Sequence, residues 1–346
     1  MRLIAIDTET HYDEDFGGMS VFIFGEPTNR PFCVTVSEND DDFFYTEDQY
    51  AEKVVPLCED ESVTKIGANI KYDIHMLLNA GIEIKGPIHD VLVIHHLLNE
   101  EDLDADGKRI RGLKAIADKY IGEDSSGFEK RVDECRKLLA KESDRSKNEV
   151  SFREVYDHDP ELMMQYAMKD TRITLELFNL LYPRLADQDL LGVYEAELQT
   201  LRALVQVERN GMRVDSEYLT ELDEVMTAEL VELEAKILAI ADFNVNSSEE
   251  LVTALEGLGV VYIDKTDSGA WDTAAQTLEK VANRSEVSDQ ARELLHLVLE
   301  YRQFSKLRET YVSNLIHLTQ ADGRVHPSFF QIGTVTGRMS CNNPNF

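Results

Sequence analysis

The stretch LIAIDTET (residues 3–10) alternates like a strand, so Leu3, Ala5, Asp7 and Glu9 fall on one face. Two carboxylates therefore stand side by side at the end of an otherwise apolar segment. In a chain with 66 acids among 346 residues, an acid–x–acid pair alone carries little weight. Two further acids lie where acids are costly. In NIKYDIHMLL, Ile70, Asp73 and Leu77 recur at i, i+3 and i+7, which puts Asp73 on the apolar stripe of a helix. In PELMMQYAMKDTRITLELF, Leu162, Tyr166, Asp170, Ile173 and Leu177 share one helical face. A bare carboxylate in a core-facing row is unfavourable unless it is paired or coordinates a metal. Basic partners are not obvious on either stripe. Hard divalent cations such as Mg²⁺ are the natural counter-charge for several converging oxygens. A blander account stays open: Asp73 caps a distorted helix end, and Asp170 pairs with Arg172 or Lys169 at the surface.

The elements that must position these acids are legible in outline. LIAID, SVFIF and PFCVTVS read as strands, punctuated by Gly17, Gly18 and Pro27. TEDQYAEKVVPL has helical spacing with Thr46 as its cap, VTKIGAN is a short strand, and IKYDIHMLLNAG is a helix closed by Gly81. Helices are expected over 88–99, 112–121, 127–142 and 160–185. Strands first, then strands mixed with helices, indicate an α/β or α+β domain of about 190 residues. After ADQD the pattern changes: two long amphipathic helices over 190–241 flank ERNGMRVD, and a third covers 290–319. Short helices and loops are expected between them. The boundary falls near residue 190, and neither an internal repeat nor a low-complexity tract is evident.

The ordered set of Asp7-x-Glu9 on a strand, Asn69-x-x-x-Asp73 and Tyr166-x-x-x-Asp170 resembles the three exonuclease motifs of the DEDD superfamily, tyrosine variant. Gln165 stands where the histidine variant would want its histidine. IGANIKYDIHMLLNAGIEI, HDVLVIHHLLNEED, RGLKAIADKYIG and YAMKDTRITLELF resemble the proofreading domain of family A DNA polymerases. The resemblance implies a ribonuclease H-like α/β fold, with a mixed central sheet flanked by helices. It implies two Mg²⁺ or Mn²⁺ ions, one held by Asp7, Glu9 and Asp170, the other bridged by Asp7 and supported by Asp73. Tyr166 would orient the attacking water, with Thr10 and Asn69 near the terminal nucleotide. The implied reaction removes a nucleoside monophosphate from a DNA 3′ end.

The likeness continues past residue 190. YEAELQTLRALVQVERNGMRVDSEYL, FNVNSSEEL, DKTDSGAWDT and LEYRQFSKLRETYVSNL resemble the thumb of family A polymerases. Arg302 and Lys306 are four apart on a helix, where both can face one DNA backbone or instead pair with Glu300 or Glu309. DGRVHPSFFQIGTVTGRMSCNNPNF resembles the first palm strands, which implies that Thr334, Arg338 and Asn345 lie against a primer–template minor groove. The expected organisation is a 3′–5′ exonuclease domain over 1–190, a mainly α-helical thumb-like region over 191–319, and palm strands over 320–346. Since the likeness stops mid-palm, the remainder is expected on a separate C-terminal partner chain carrying fingers and palm, without which DNA synthesis is not expected, or else this sequence is a fragment of a longer one. No flap-nuclease domain precedes it, which suggests a phage-type enzyme.

The net charge of −31 argues against a general electrostatic grip on nucleic acid. Its distribution is uneven: residues 1–50 hold 12 acids against 2 bases, whereas residues 301–346 hold 2 acids against 5 bases. A second basic cluster runs from Lys108 to Lys147 and includes Lys114. Four scattered cysteines without CxxC spacing suggest neither zinc nor disulfides, and a reducing cytoplasm is the simple expectation. No apolar run approaches membrane length. Two other functions share these features: a ribonuclease D-like RNA exonuclease, disfavoured by the thumb-like half, and a non-catalytic DNA-binding or assembly subunit.

Overall fold

The computed structural model describes residues 2–10, 30–99, 101–104, 107–122, 126–262, 264–266, 268–334 and 336–344. The expected strand SVFIF and the expected DNA contact Asn345 lie outside them. The chain divides into two compact units, one of residues 1–212 with 320–346 and one of 213–319.

The first unit is built on a five-stranded mixed sheet of order β3-β2-β1-β4-β5. Its strands are β1 (Arg2–Thr10), β2 (Pro31–Glu38), β3 (Asp41–Thr46), β4 (Val63–Gly67) and β5 (Ile88–Asp90). β1 pairs antiparallel with β2 and parallel with β4, so its carboxyl end opens where the sheet changes direction. The alternation of β1 splits the core in two. Ile4 and Ile6 pack with Val34, Val36, and Ile70, Ile74 and Leu77 of helix α2 (Ile70–Asn79); the short helix α1 (Val55–Glu59) adds Cys58. Ala5 faces the other way, toward α3 (Val91–Asn99), α4 (Leu113–Tyr120) and the long α7 (Pro160–Asp187), through Ile94, Ile116, Ile173 and Leu177. A smaller cluster joins Phe32 and Cys33 to Val132 of α5 (Ser126–Ser143), Val155 of α6 (Phe152–His158), and Leu162 and Ala167 of α7.

The helix expected over 88–99 is shorter. Residues 88–90 pair with β4 as β5, and the helix starts at Val91. Asp90 makes the switch. Its Oδ1 accepts from the backbone N–H groups of Leu92 (2.8 Å) and Val93 (3.3 Å), and its Oδ2 from Ile70 N–H (2.8 Å). One buried carboxylate thus closes the N-terminal turns of both α2 and α3. The chain enters α2 through Asn69, held at φ 64°. Gly67 permits the tight turn, since a Cβ there would lie 2.7 Å from Ile70 Cβ.

Helix α8 (Leu191–Asn210), expected to open the second domain, belongs to the first unit. The change of sequence pattern at 190 is real, but Leu201 and Val205 bury into the same core as Ile4 and Ile70. The terminal segment also folds back here, with strands Ser328–Phe330 and Ser340–Asn342 paired antiparallel. Its anchor is Glu208, fully buried on α8. Phe329 N–H donates to Glu208 Oε1 at 2.7 Å, His75 Nε2 lies 2.6 Å from Oε2, and the Lys71 ammonium pairs with the same carboxylate. Burial pushes this acid up, but His75, Lys71 and the Phe329 amide bring it below its ordinary value.

The second unit is helical, as expected. Helices α9 (Ser216–Ile240), α10 (Ser248–Gly257), α11 (Ala275–Ala282) and α12 (Asp289–Leu307) surround a core of Ile237, Leu251, Leu255, Leu278, Leu294 and Val298. The expected third long helix breaks after Leu307 into a π-helical turn, Arg308–Ser313, before α13 (Asn314–Leu318). Asp223 of α9 clasps that turn through Arg308 and Ser313, each at 2.9 Å.

Glu208→Ala would leave Lys71 without its buried counter-charge and His75 without its hydrogen-bond partner. The expected loss is about 3–5 kcal/mol, seen as faster amide hydrogen exchange in α2, α8 and the Ser328–Phe330 strand. Unchanged protection would contradict the anchoring role.

Candidate active site

Three elements meet at the carboxyl end of β1. The strand presents Asp7 and Glu9 on the face toward α7, opposite Thr35 and Cys33 of β2. Helix α2 reaches over the strand end from the other face. Thr8 donates twice to Asp73 Oδ1, from its backbone N–H at 2.9 Å and its hydroxyl at 2.7 Å. Helix α7 carries Tyr166 and Asp170 one turn apart, with Asp159 and Pro160 fixing its start. It docks on β2 through Thr35, whose hydroxyl donates to Ala167 O at 3.3 Å, and through Ser37 and Thr171, whose hydroxyls lie 2.8 Å apart. Arg172, an alternative partner for Asp170 on sequence grounds, binds Asp42 instead, at 2.7 Å.

Glu9, Asp73 and Asp170 are 8%, 2% and 9% exposed, and Asp7 is half-buried. The partner of Asp170 comes from α4, where sequence reasoning placed none. The Lys114 ammonium bonds Asp170 Oδ1 and lies 4.4 Å from the centroid of the Tyr166 ring. Phe152 stacks on that ring at a centroid distance of 5.8 Å. Among the described residues, no three His, Cys, Asp or Glu side chains stand in a ready-made metal-binding geometry. The chemistry of the donor set nevertheless suits hard divalent cations: four acids carry carboxylate oxygens, three of them buried, and an ammonium already sits on one.

The remaining candidates are distributed. Thr10 Oγ1 lies 2.9 Å from Tyr72 Oη at the strand end. Asn69, one turn before Asp73, lines a cavity of about 220 Å³ with Lys71, Asp90, Phe329 and Gln331. Thr334 donates to Arg338 O at 2.6 Å, and the Arg338 side chain is exposed. In the second unit, Lys306 is exposed, whereas Arg302 is half-buried and donates to Thr273 O at 2.9 Å. Sequence reasoning missed the pairing of Lys114 and the supporting roles of Thr8 and Asp90. The only signal for Lys114 was a base flanking the Leu113, Ile116, Ala117 and Tyr120 stripe of a short helix.

Residues 1–186 match the family described as 3′–5′ exonuclease, and residues 216–346 match DNA polymerase family A. The chain belongs to the 3′–5′ exonuclease family. It is 32% identical over 294 residues to DNA polymerase I of Rhizobium leguminosarum, covering 84% of this chain and 26% of that protein. DNA polymerase I of Pseudomonas aeruginosa is 30% identical over 300 residues, covering 84% of this chain and 30% of that protein. The chain therefore spans less than a third of the length of these relatives. The fold is similar to the polymerase domain of Pol1 from M. smegmatis, with a TM-score of 0.69 and 19% identity over 99% of this chain and 51% of that one.

The four carboxylates share one electrostatic field. Burial, then Asp73, Glu9 and Asp170, push Asp7 well above the ordinary carboxylate range. Burial, then Asp170, raise Glu9 to about 8, with Lys114 opposing. Burial raises Asp73 to about 7 against the two Thr8 bonds. Burial also raises Asp170, again opposed by Lys114. Burial and the charges of Glu9, Asp170 and Asp7 push the Tyr166 hydroxyl far up, so it stays protonated at neutral pH.

A carboxyl whose folded pKa is raised binds its proton more tightly in the native state. Its stabilising contribution is complete below the unfolded value and is lost as pH rises through about 7 for Asp73 and about 8 for Glu9. With chelator present, the melting temperature should therefore fall between pH 5 and pH 8.5, and Glu9→Gln should flatten that fall. A slope identical in the variant would contradict the assignment.

Proposed function

We propose that this chain removes nucleotides one at a time from DNA 3′ ends by divalent-cation-dependent hydrolysis. The observation that carries the reading is the convergence of Asp7, Glu9, Asp73 and Asp170 beside Tyr166, from one strand and two helices. The relatives named DNA polymerase I, and a similar structure described in complex with primer–template DNA, support DNA as the substrate.

Asp7, Glu9 and Asp170 would hold one Mg²⁺ or Mn²⁺ ion, and Asp7 with Asp73 a second; bound there, the ions supply charge neutralisation and water activation. The chain's own residues do the positioning. Thr8 fixes Asp73 in rotation by giving two hydrogen bonds to one oxygen. Tyr166, protonated and wedged against Phe152, orients a water by hydrogen bonding rather than acting as a base. Water adds to phosphorus, the P–O3′ bond breaks, and the products are a nucleoside 5′-monophosphate and a strand with a new 3′-hydroxyl. Asn69 and Thr10, at the start of α2 and the end of β1, are proposed to contact the terminal nucleotide.

We further assign residues 191–319 to a thumb-like helical region and 320–346 to palm strands, which the match of residues 216–346 to family A supports. Lys306, Thr334 and Arg338 are the proposed primer–template contacts; Arg302 would have to leave Thr273 to join them. No helix among the described residues is long and apolar enough to cross a membrane.

On 3′-labelled single-stranded DNA with Mg²⁺, Asp7→Ala and Asp170→Ala should abolish release of labelled monophosphate while the circular dichroism spectrum is retained. Tyr166→Phe should slow release roughly 10²-fold, the scale of a misoriented nucleophile. Full activity in Asp7→Ala would defeat the assignment. Preferential release from 3′-labelled RNA would favour the ribonuclease alternative.

A further inference from the structure

Lys114 is the one member of this cluster that neither motif spacing nor the hydrolytic scheme uses. Its ammonium bonds Asp170 and rests on the face of the Tyr166 ring, 4.4 Å from the centroid. Both groups belong to α7, one turn apart, whereas Lys114 comes from α4. Ile116 and Ala117 anchor α4 in the core shared with Ile173 and Leu177, so the lysine backbone is fixed relative to α7. The side chain itself is not sealed in. Counting side-chain atoms alone, its exposure is 21%, against 12% for Asp170, while the Lys71 side chain on the Glu208 anchor is 12% exposed and the Glu208 carboxylate fully buried.

Two facts of charge follow. An ammonium and a divalent cation compete for one carboxylate, because like charges at contact distance repel strongly away from bulk water. A lysine is a point charge on a flexible four-carbon stem, so it can leave the carboxylate without leaving the site. The ring of Tyr166, held by Phe152, offers the ammonium a second resting place a few ångströms away.

Building on the exonuclease reading, we propose that Lys114 is the exchangeable counter-ion of the carboxylate site. It neutralises Asp170 until divalent cations displace it, and its freed ammonium then contacts the phosphate undergoing cleavage. The lysine thus opposes metal binding and assists the reaction. A lysine that only supported the fold would not act with opposite signs.

The test uses the full 346-residue chain, titrated with Mn²⁺ in the absence of DNA and followed by the electron paramagnetic resonance of free Mn²⁺. Lys114→Gln should bind Mn²⁺ ~10-fold more tightly than wild type, as expected when a partly buried competing ion pair is removed. At saturating Mn²⁺ and DNA, its single-turnover excision should fall ~10-fold or more, the scale of losing a charged hydrogen bond. Lys114→Arg keeps the charge, so it should bind Mn²⁺ no more tightly than wild type and recover part of the excision rate. Weaker or unchanged Mn²⁺ binding by Lys114→Gln, tighter binding by Lys114→Arg, or undiminished excision would each overturn the proposal. Failure of wild type itself to bind Mn²⁺ would remove the metal-dependent reading and this inference together. Normal wild-type binding with an unaltered variant removes the inference alone.

Discussion

Carboxylates gathered out of bulk water at one strand end repel one another, and the surrounding structure is organised around that repulsion. Asp7, Glu9, Asp73 and Asp170 are each raised by burial, and the charges of Asp73, Glu9 and Asp170 raise Asp7 further. Left alone, such a group would scatter its side chains toward water or take up protons. The rigid parts prevent the first. β1 lies between two strands, α2 is tied to it through Thr8, and α7 is pegged to β2 through Thr35 and Ser37 and to β3 through Arg172 and Asp42. The Lys114 ammonium partly offsets the second, and that same offset is what a divalent cation would have to replace.

The supports are themselves polar and buried, which explains why they are specific. Asp90 satisfies the first turns of α2 and α3 with one carboxylate, so the two helices cannot shift independently. Glu208 collects Lys71 and His75 from α2 and the Phe329 amide from the terminal strands. Asp73 lies between Lys71 and His75 on that helix. Phe329, from the end of the segment that matches the polymerase family, is thus bonded within the first compact unit to the carboxylate that holds α2, the helix of Asp73.

The site was legible where periodicity and burial coincide. Asp73 and Asp170 stood out because a helical stripe of Ile, Leu and Tyr was interrupted by an acid, and both acids are buried where that stripe predicts. Asp7 and Glu9 were legible only by the company they keep in the motif order. Lys114 was hidden because its partner lies 56 residues away, on a helix whose register relative to α4 no local pattern records. Asp90 was hidden for a related reason: HDVLVIHHLL carries enough helical spacing to mask the three residues that pair with β4. Pairing is a property of two segments, and one segment's spacing cannot report it.

Determined by the sequence alone were the alternation of β1, the apolar stripes of α2 and α7, the helical character of the region expected over 191–319 and the motif order on which the family resemblance rests. These follow from local periodicity, which the chain carries in every conformation. Only tertiary structure decided which cation faces Asp170, which carboxylate caps two helices, and that α8 and residues 320–346 join the first unit. Those outcomes depend on through-space charge and on competition for shared core surface, and neither exists until distant segments meet.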